Sequence, residues 1–294
     1  MISMEQFISH YEDLKRSKAK TLRGSLRDLA LTGLSRVANE RYLEIPRVQF
    51  LYVHHIFKDE EKRLDTLLKR LGKRHHFISY NDAVNKILTG TVDKPYVTFS
   101  SDDGFKNNLR AAEILNGYGA KACFFINPGI VGETNFDKIN KYCTETLEFP
   151  AVEFLNWDEV AKLQHWGHEI GSHTMWHMNI AKANPQAITD DMHETHRILT
   201  QRCGGVKHFA FPYGRFFHFS TAGKKAVFEA GFTTCATAER GCHVNPASPV
   251  SKEELCIRRD HTVLGWDMNH VMYFLINNAK NANVNNNFYP DSLK

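Results

Sequence analysis

The chain has 294 residues, of which 42% are hydrophobic, enough to bury a sizeable core in one large domain or two small ones. Its net charge of +4 is mixed along the chain rather than blocked, so no strong claim of a nucleic-acid or membrane partner follows. The six cysteines stand singly with no CxxC pair, so a thiolate metal site or redox dithiol is not expected, whereas sixteen histidines supply many possible metal ligands. The opening MISMEQFISHYEDLKRSK has early acids and no apolar run, and no stretch reaches the roughly 18 apolar residues of a membrane span. A cytoplasmic enzyme with free thiols is the expectation.

Residues 1–45 are polar, with Phe7, Tyr11 and Leu14, then Leu26, Leu29, Leu31 and Leu34 at helical spacing. They predict an N-terminal helical extension that caps the main domain. The dense apolar run VQFLYVHHIF (48–57) predicts a buried strand. A charged helix ending near Gly72 follows, then the strand HFIS, the helix YNDAVNKILTG, the strand PYVTF and the helix NNLRAAEILNGYG. AKACFFINPG, HEIGSH, VKHFAFPYG and TTCATA predict further strands, separated by the helices NWDEVAKLQHWG, NPQAITDDMHETHRILTQRCG and STAGKKAVFEAGF. This alternation predicts a parallel α/β sheet or barrel over residues 46–275. The asparagine-rich tail, 276–294, is expected to fray.

Such folds carry their chemistry at the carboxyl ends of the strands. Asp102 and Asp103 fall at one such end, in SSDDGF, where two adjacent carboxylates repel unless a cation sits close. His173 and His177, four apart in GHEIGSHTMWH, fall at another, where a turn can bring both imidazoles to one side. One carboxylate and two imidazoles make a three-ligand divalent site with open positions, the pattern of catalytic rather than structural zinc, and also suited to cobalt, nickel or iron. The second aspartate is then free to act as a base on water. In FAFPYG (209–214), Pro212 stiffens a loop that can aim a backbone N–H at an oxyanion.

Together these stretches resemble the polysaccharide deacetylase family, carbohydrate esterase family 4, over roughly residues 48–265. The resemblance rests on SDDGFKNNLRAAEILNGYGAKACFFINPGIVG, NWDEVAKLQHWGHEIGSHTMWHMNI and FAFPYG, and extends to LYVHHIF and HFISYNDAV. It implies a distorted (β/α) barrel and a metal-dependent deacetylase, with zinc first and cobalt or nickel as alternatives. By resemblance, Asp102 is the general base, Asp103, His173 and His177 hold the metal, and the Tyr213 backbone N–H stabilises the oxyanion. The implied substrate is an acetylated amino sugar, an oligosaccharide or a sugar on a carrier. Trp176, Phe211 and Tyr213 are aromatic candidates to stack on it. His54 or His55, ending the first strand, could touch it, and Pro212 shapes the site.

Three departures stand out. The family's Thr-Phe-Asp-Asp-Gly is Thr98-Phe99-Ser100-Ser101-Asp102-Asp103-Gly104 here, and anchoring on Asp-Asp-Gly requires a bulge or a shifted strand end. The arginine that pairs with the base in many members is Ala210, so Arg258 or Arg259, in CIRRDH, is expected to reach the site instead, with Arg258 taken as the site residue. No clear leucine-x-x-histidine acid motif appears near the end of the chain; His261 is the first substitute, His243 the second. A different metal-dependent amidase or deformylase on the same scaffold, and a non-catalytic carbohydrate-binding relative, are the alternatives. A nucleotide-binding protein fits poorly, because neither a GxGxxG after a strand nor a GxxxxGK[ST] loop occurs.

Overall fold

The apolar run after Pro46 forms strand β1 (Arg47–Val53), buried along almost its whole length, as a parallel strand covered on both faces must be. A computed structural model describes residues 7–17, 31–36 and 38–293. The further strands are β2 (His76–Phe77), β3 (Pro95–Ser101), β4 (Ala122–Ile126) and β5 (Glu169–Ser172). Then come β6 (His208–Ala210), β7 (Thr234–Ala236), β8 (Cys256–Ile257) and β9 (Arg259–His261). All ladders between them are parallel, in the order β8-β7-β6-β5-β4-β3-β1-β9, with β2 added beside β3.

The two ends of that order are one piece of chain. Cys256 and Ile257 pair with Cys235 and Ala236 of β7, whereas Arg259, Asp260 and His261 pair with Phe50, Leu51 and Tyr52 of β1. Residues 256–261 therefore bring the two sheet edges together, with a break at Arg258. The result is a nearly closed parallel barrel ringed by helices, the distorted (β/α) barrel that the family resemblance implied.

The helices end where local chemistry ends them. Ser79, Asn156 and Asn184 each cap a helix by accepting a backbone N–H, and Glu159 completes a capping box with Asn156. Gly204 stops the longest helix, Pro185–Cys203, in the left-handed conformation at φ 75°. Two helices have no counterpart in the sequence reading, Phe136–Glu145 and Met268–Lys280. The second runs across the boundary drawn at 276.

The tail does not fray. Asn287 is fully buried, donating to the Val244 carbonyl and pairing with His243, while Tyr289 and Leu293 pack into the core. Asparagine here serves as a hydrogen-bonding plug, which composition alone does not distinguish from a solvated tail. Of the N-terminal extension, Tyr11–Ser17 and residues 31–36 are helical, whereas Leu26 and Leu29 lie outside the described residues. Among the described residues, no helix is long and apolar enough to cross a membrane.

Candidate metal-dependent active site

Strand β3 runs without a bulge through both inserted serines, paired residue for residue with β1 from Arg47–Pro95 to Val53–Ser101. The extra residues are absorbed by a longer strand end. Asp102 follows at once and is held by its own N–H, which donates to the Val53 carbonyl at 3.1 Å. Asp103 and Gly104 then both adopt positive φ, 72° and 76°, so the chain turns sharply and the two carboxylates part. For Gly104 this conformation is easy; for Asp103 it is strained, and such strain collects at functional sites.

Asp103 faces the end of β5. Its Oδ1 lies 3.5 Å from His173 Nε2 and 3.6 Å from His177 Nε2. The three side chains are buried, and their ligand atoms lie within 4.8 Å of one another. Thr174 and His177 also take positive φ, 65° and 59°, which folds the four-residue spacing into a turn that aims both rings inward. Asn127, at the end of β4, pins that turn by donating to the carbonyls of His173 and Thr174. Asp191 accepts the Met175 N–H from the far side.

The donor set fits a divalent cation. Asp103 Oδ1 is buried without a hydrogen-bond partner, although a buried carboxylate oxygen normally finds one. His173 Nδ1 is 2.7 Å from the Ala210 carbonyl, which leaves Nε2 with its lone pair toward Asp103. Burial holds the His173 imidazole down at about 4 and the His177 imidazole well below its ordinary value, so both rings are neutral and able to ligate. Burial, with Asp102 next, pushes the Asp103 carboxyl well up, so its ionised form needs a cation beside it. Bonds of about 2.0–2.2 Å to a tetrahedral ion put neighbouring ligands roughly 3.3–3.6 Å apart, which matches the two distances from Asp103 to the imidazoles.

Asp102 has a different partner. Arg259 donates from Nη1 to Oδ1 at 2.7 Å and from Nη2 to Oδ2 at 2.8 Å, a two-pronged pair in the barrel interior. The guanidinium is fully buried, also donates to Ser100 Oγ and the Thr237 carbonyl, and lies over the rings of Tyr52 and Phe125. Burial raises the Asp102 carboxyl, but Arg259 and His173 outweigh it and bring it to about 2. Arg258, the other arginine singled out in the sequence, does not contact Asp102 and lies 5.1 Å from the centre of the Phe216 ring. The break in the strand at 258 explains the difference, since successive side chains of a strand point to opposite faces.

These groups open into a cleft of about 390 Å³. His261 lines it, with Nε2 3.3 Å from His54 Nδ1 and its ring stacked on Tyr52. Burial and then His54 hold the His261 imidazole down at about 3. His243 lies elsewhere, buried between Asn287 and the Arg258 backbone. His55 lines the cleft packed between Phe57 and Phe149. Phe211 lines it from beneath, stacked on Phe219, and Pro212 is buried beside it. Tyr213, at φ 63°, stands at the rim with its ring 4.7 Å from that of His177. Trp176 does not line the cleft. It is 53% exposed and packs across Gly129 toward Tyr142, because the left-handed turn that points its neighbour His177 inward points Trp176 out.

Residues 89–234 match the family model described as polysaccharide deacetylase. That stretch is a polysaccharide deacetylase domain. The match contains Asp102, Asp103, His173, His177 and Tyr213, and stops short of Arg259 and His261. No curated relative matches the sequence. Among solved structures, IcaB from Ammonifex degensii is similar at 16% identity and a TM-score of 0.62, covering 81% of this chain and 98% of its own. The Streptococcus pyogenes deacetylase PplD, solved in complex with acetate, is similar at 16% identity and a TM-score of 0.59, covering 78% and 96%. A de-N-acetylase from Aggregatibacter actinomycetemcomitans is similar at 16% identity and a TM-score of 0.57, covering 78% and 99%. At such identities the likeness establishes the shared barrel.

The sequence reading missed Asn127 and the cleft wall made by Tyr11 and Leu14. An asparagine directly after the apolar run ACFFI was the visible signal for the first; nothing in the sequence linked residues 11 and 14 to a site beyond residue 100.

Proposed function

We propose that this protein is a metal-dependent deacetylase that hydrolyses the acetamido group of an amino sugar and releases acetate. The observation that carries the reading is a buried carboxylate held by an arginine, next in sequence to the unpartnered oxygen of Asp103 between two neutral imidazoles. Asp103, His173 and His177 would hold the ion, with zinc first and cobalt or nickel as alternatives. When bound, the ion polarises the acetyl carbonyl and acidifies water.

The chain's own groups supply the rest. Asp102, ionised and fixed by Arg259, takes a proton from the attacking water. The Tyr213 backbone N–H, on its stiff loop, donates to the developing oxyanion. His261 is neutral in the free protein, so the proton that Asp102 takes from water passes to His261, which gives it to the departing amine and leaves both groups as they began. Water thus adds to the carbonyl carbon, the C–N bond breaks, and the nitrogen leaves protonated. The sugar sits in the cleft against Phe211, Tyr213 and His55.

The test is acetate release from N-acetylated sugars, oligosaccharides and sugars on carriers, using metal-stripped protein with zinc, cobalt or nickel added back. Release that needs metal and vanishes in Asp102→Asn supports the proposal. One tightly bound metal per chain with no release from any of these substrates would sink it in favour of a non-catalytic binding protein.

A further inference from the structure

The cleft has two unlike ends. One holds Asp102, Asp103, His173, His177 and His261; the other is walled mainly by Tyr11, Leu14, Leu147, Phe149, Val263 and Leu264, with the carboxylates of Glu60 and Glu148 among them. All of these apolar residues except Leu264 are half-buried, and their side chains border the same cavity as the metal ligands. The wall is built, not incidental. The Lys58 N–H donates to the Ser9 carbonyl, the Ile8 N–H to the Ala151 carbonyl, and the Asp59 carboxylate accepts the N–H groups of Tyr11 and Glu12. Residues 8–12 are thereby tied to the loops that follow β1 and the helix Phe136–Glu145. The Tyr11 ring lies against Gly265 so closely that a Cβ there would overlap it, so the two sides of the wall fit each other.

We propose that this apolar end is a substrate subsite and that the molecule turned over carries an apolar group beside its acetamido sugar. This deepens the deacetylase reading and rests on it for the sugar. An apolar compartment continuous with a polar reaction centre gains little from a bare, hydroxyl-lined sugar chain, whereas each buried methylene of an apolar substituent multiplies affinity roughly fourfold. The apolar group could be an aglycone on the sugar or a longer N-acyl chain; both present the same chemistry to the wall.

The test is calorimetric binding to metal-loaded Asp102→Asn protein, which reads affinity without turnover. The probes are methyl and hexyl N-acetylglucosaminide, the methyl glycoside of N-hexanoylglucosamine, and the sugar-free pair N-methylacetamide and N-hexylacetamide. We expect at least one hexyl-bearing or hexanoyl-bearing probe to bind at least about tenfold tighter than its short counterpart. Leu147→Asn and the nearly isosteric Val263→Thr should each shrink that ratio without changing the affinity for the short probes. A gain for the hexyl glycoside assigns the group to the aglycone, and a gain for the hexanoyl sugar assigns it to the acyl chain. A gain for N-hexylacetamide with no binding of any sugar would keep the subsite and defeat the sugar reading. Equal affinities of long and short probes in all pairs, or a gain untouched by both variants, would overturn the subsite.

Discussion

Arg259 grips both oxygens of Asp102, at 2.7 and 2.8 Å, from a strand separated by β1 from the one that delivers the aspartate. Position 210 on β6, where the family's arginine stands in many members, holds a buried alanine whose carbonyl accepts from His173. The interior of a narrow barrel is shared by all its strands, so a guanidinium can reach one carboxylate from more than one of them.

Arg259→Met leaves a buried carboxylate without its cation, and a loss of about 3–5 kcal/mol of stability is expected. The folded-state value of Asp102 lies below its ordinary 3.8, at about 2, so the stability from this pair is present above 3.8 and is lost as pH falls through 2. Arg259→Lys keeps the charge without the fork, and kcat should fall by about 10–100-fold with the acidic limb of the pH–rate profile moved upward. Arg258→Ala should change neither kcat nor the profile; if it moves the profile as Arg259→Lys does, the pairing assigned here is wrong.

Chelation should abolish acetate release, and zinc should restore it. Asp103→Asn or His173→Ala should bind less than one metal per chain by elemental analysis, whereas Asp102→Asn should bind a full equivalent and still be inactive. A full metal complement in Asp103→Asn would move the metal elsewhere.

His261→Asn should lower kcat on the order of 100-fold with metal content unchanged, as loss of a proton-transfer group does. Burial holds its imidazole at about 3, so kcat/KM should show no titration of His261 near pH 6.5. His243→Asn should act on the melting temperature and not on kcat, because its ring joins Asn287 to the Arg258 backbone away from the cleft.

Glu60 lies at the apolar end of the cleft, its carboxylate accepting the Phe57 N–H, and burial pushes it up to about 7. An acid raised on folding binds its proton more tightly in the native state. Stability therefore falls as pH rises from 4.5 to about 7 and levels off above. The penalty at pH 8 is at most about 3 kcal/mol. Glu60→Gln, which retains an acceptor for Phe57, should melt higher than the parent at pH 8 and not at pH 4. Parallel melting curves across that range would contradict it.

Strand and helix order from β1 to β7 could be read from hydrophobic period and glycine punctuation, because those elements are set by local pattern. The last part of the barrel could not. Two-residue and three-residue strands such as β8 and β9 carry no period, and only their pairing with β7 and β1 defines them. That is why the sequence reading took Arg258 where the structure has Arg259. Trp176 shows the same limit: its place between two ligands suggested the site, but backbone handedness at His177 decided otherwise.

The sequence by itself determined the alternation of strands and helices and the chemistry gathered at the strand ends: two adjacent carboxylates, two imidazoles four residues apart, and a stiff FPYG loop. Those are properties of residue type and short spacing. Tertiary structure alone decided which arginine serves Asp102, that the asparagine-rich tail is packed, and that residues 8–14 wall the cleft. Each of these depends on contacts between segments far apart in the chain, and no local pattern encodes which distant surface a side chain will meet.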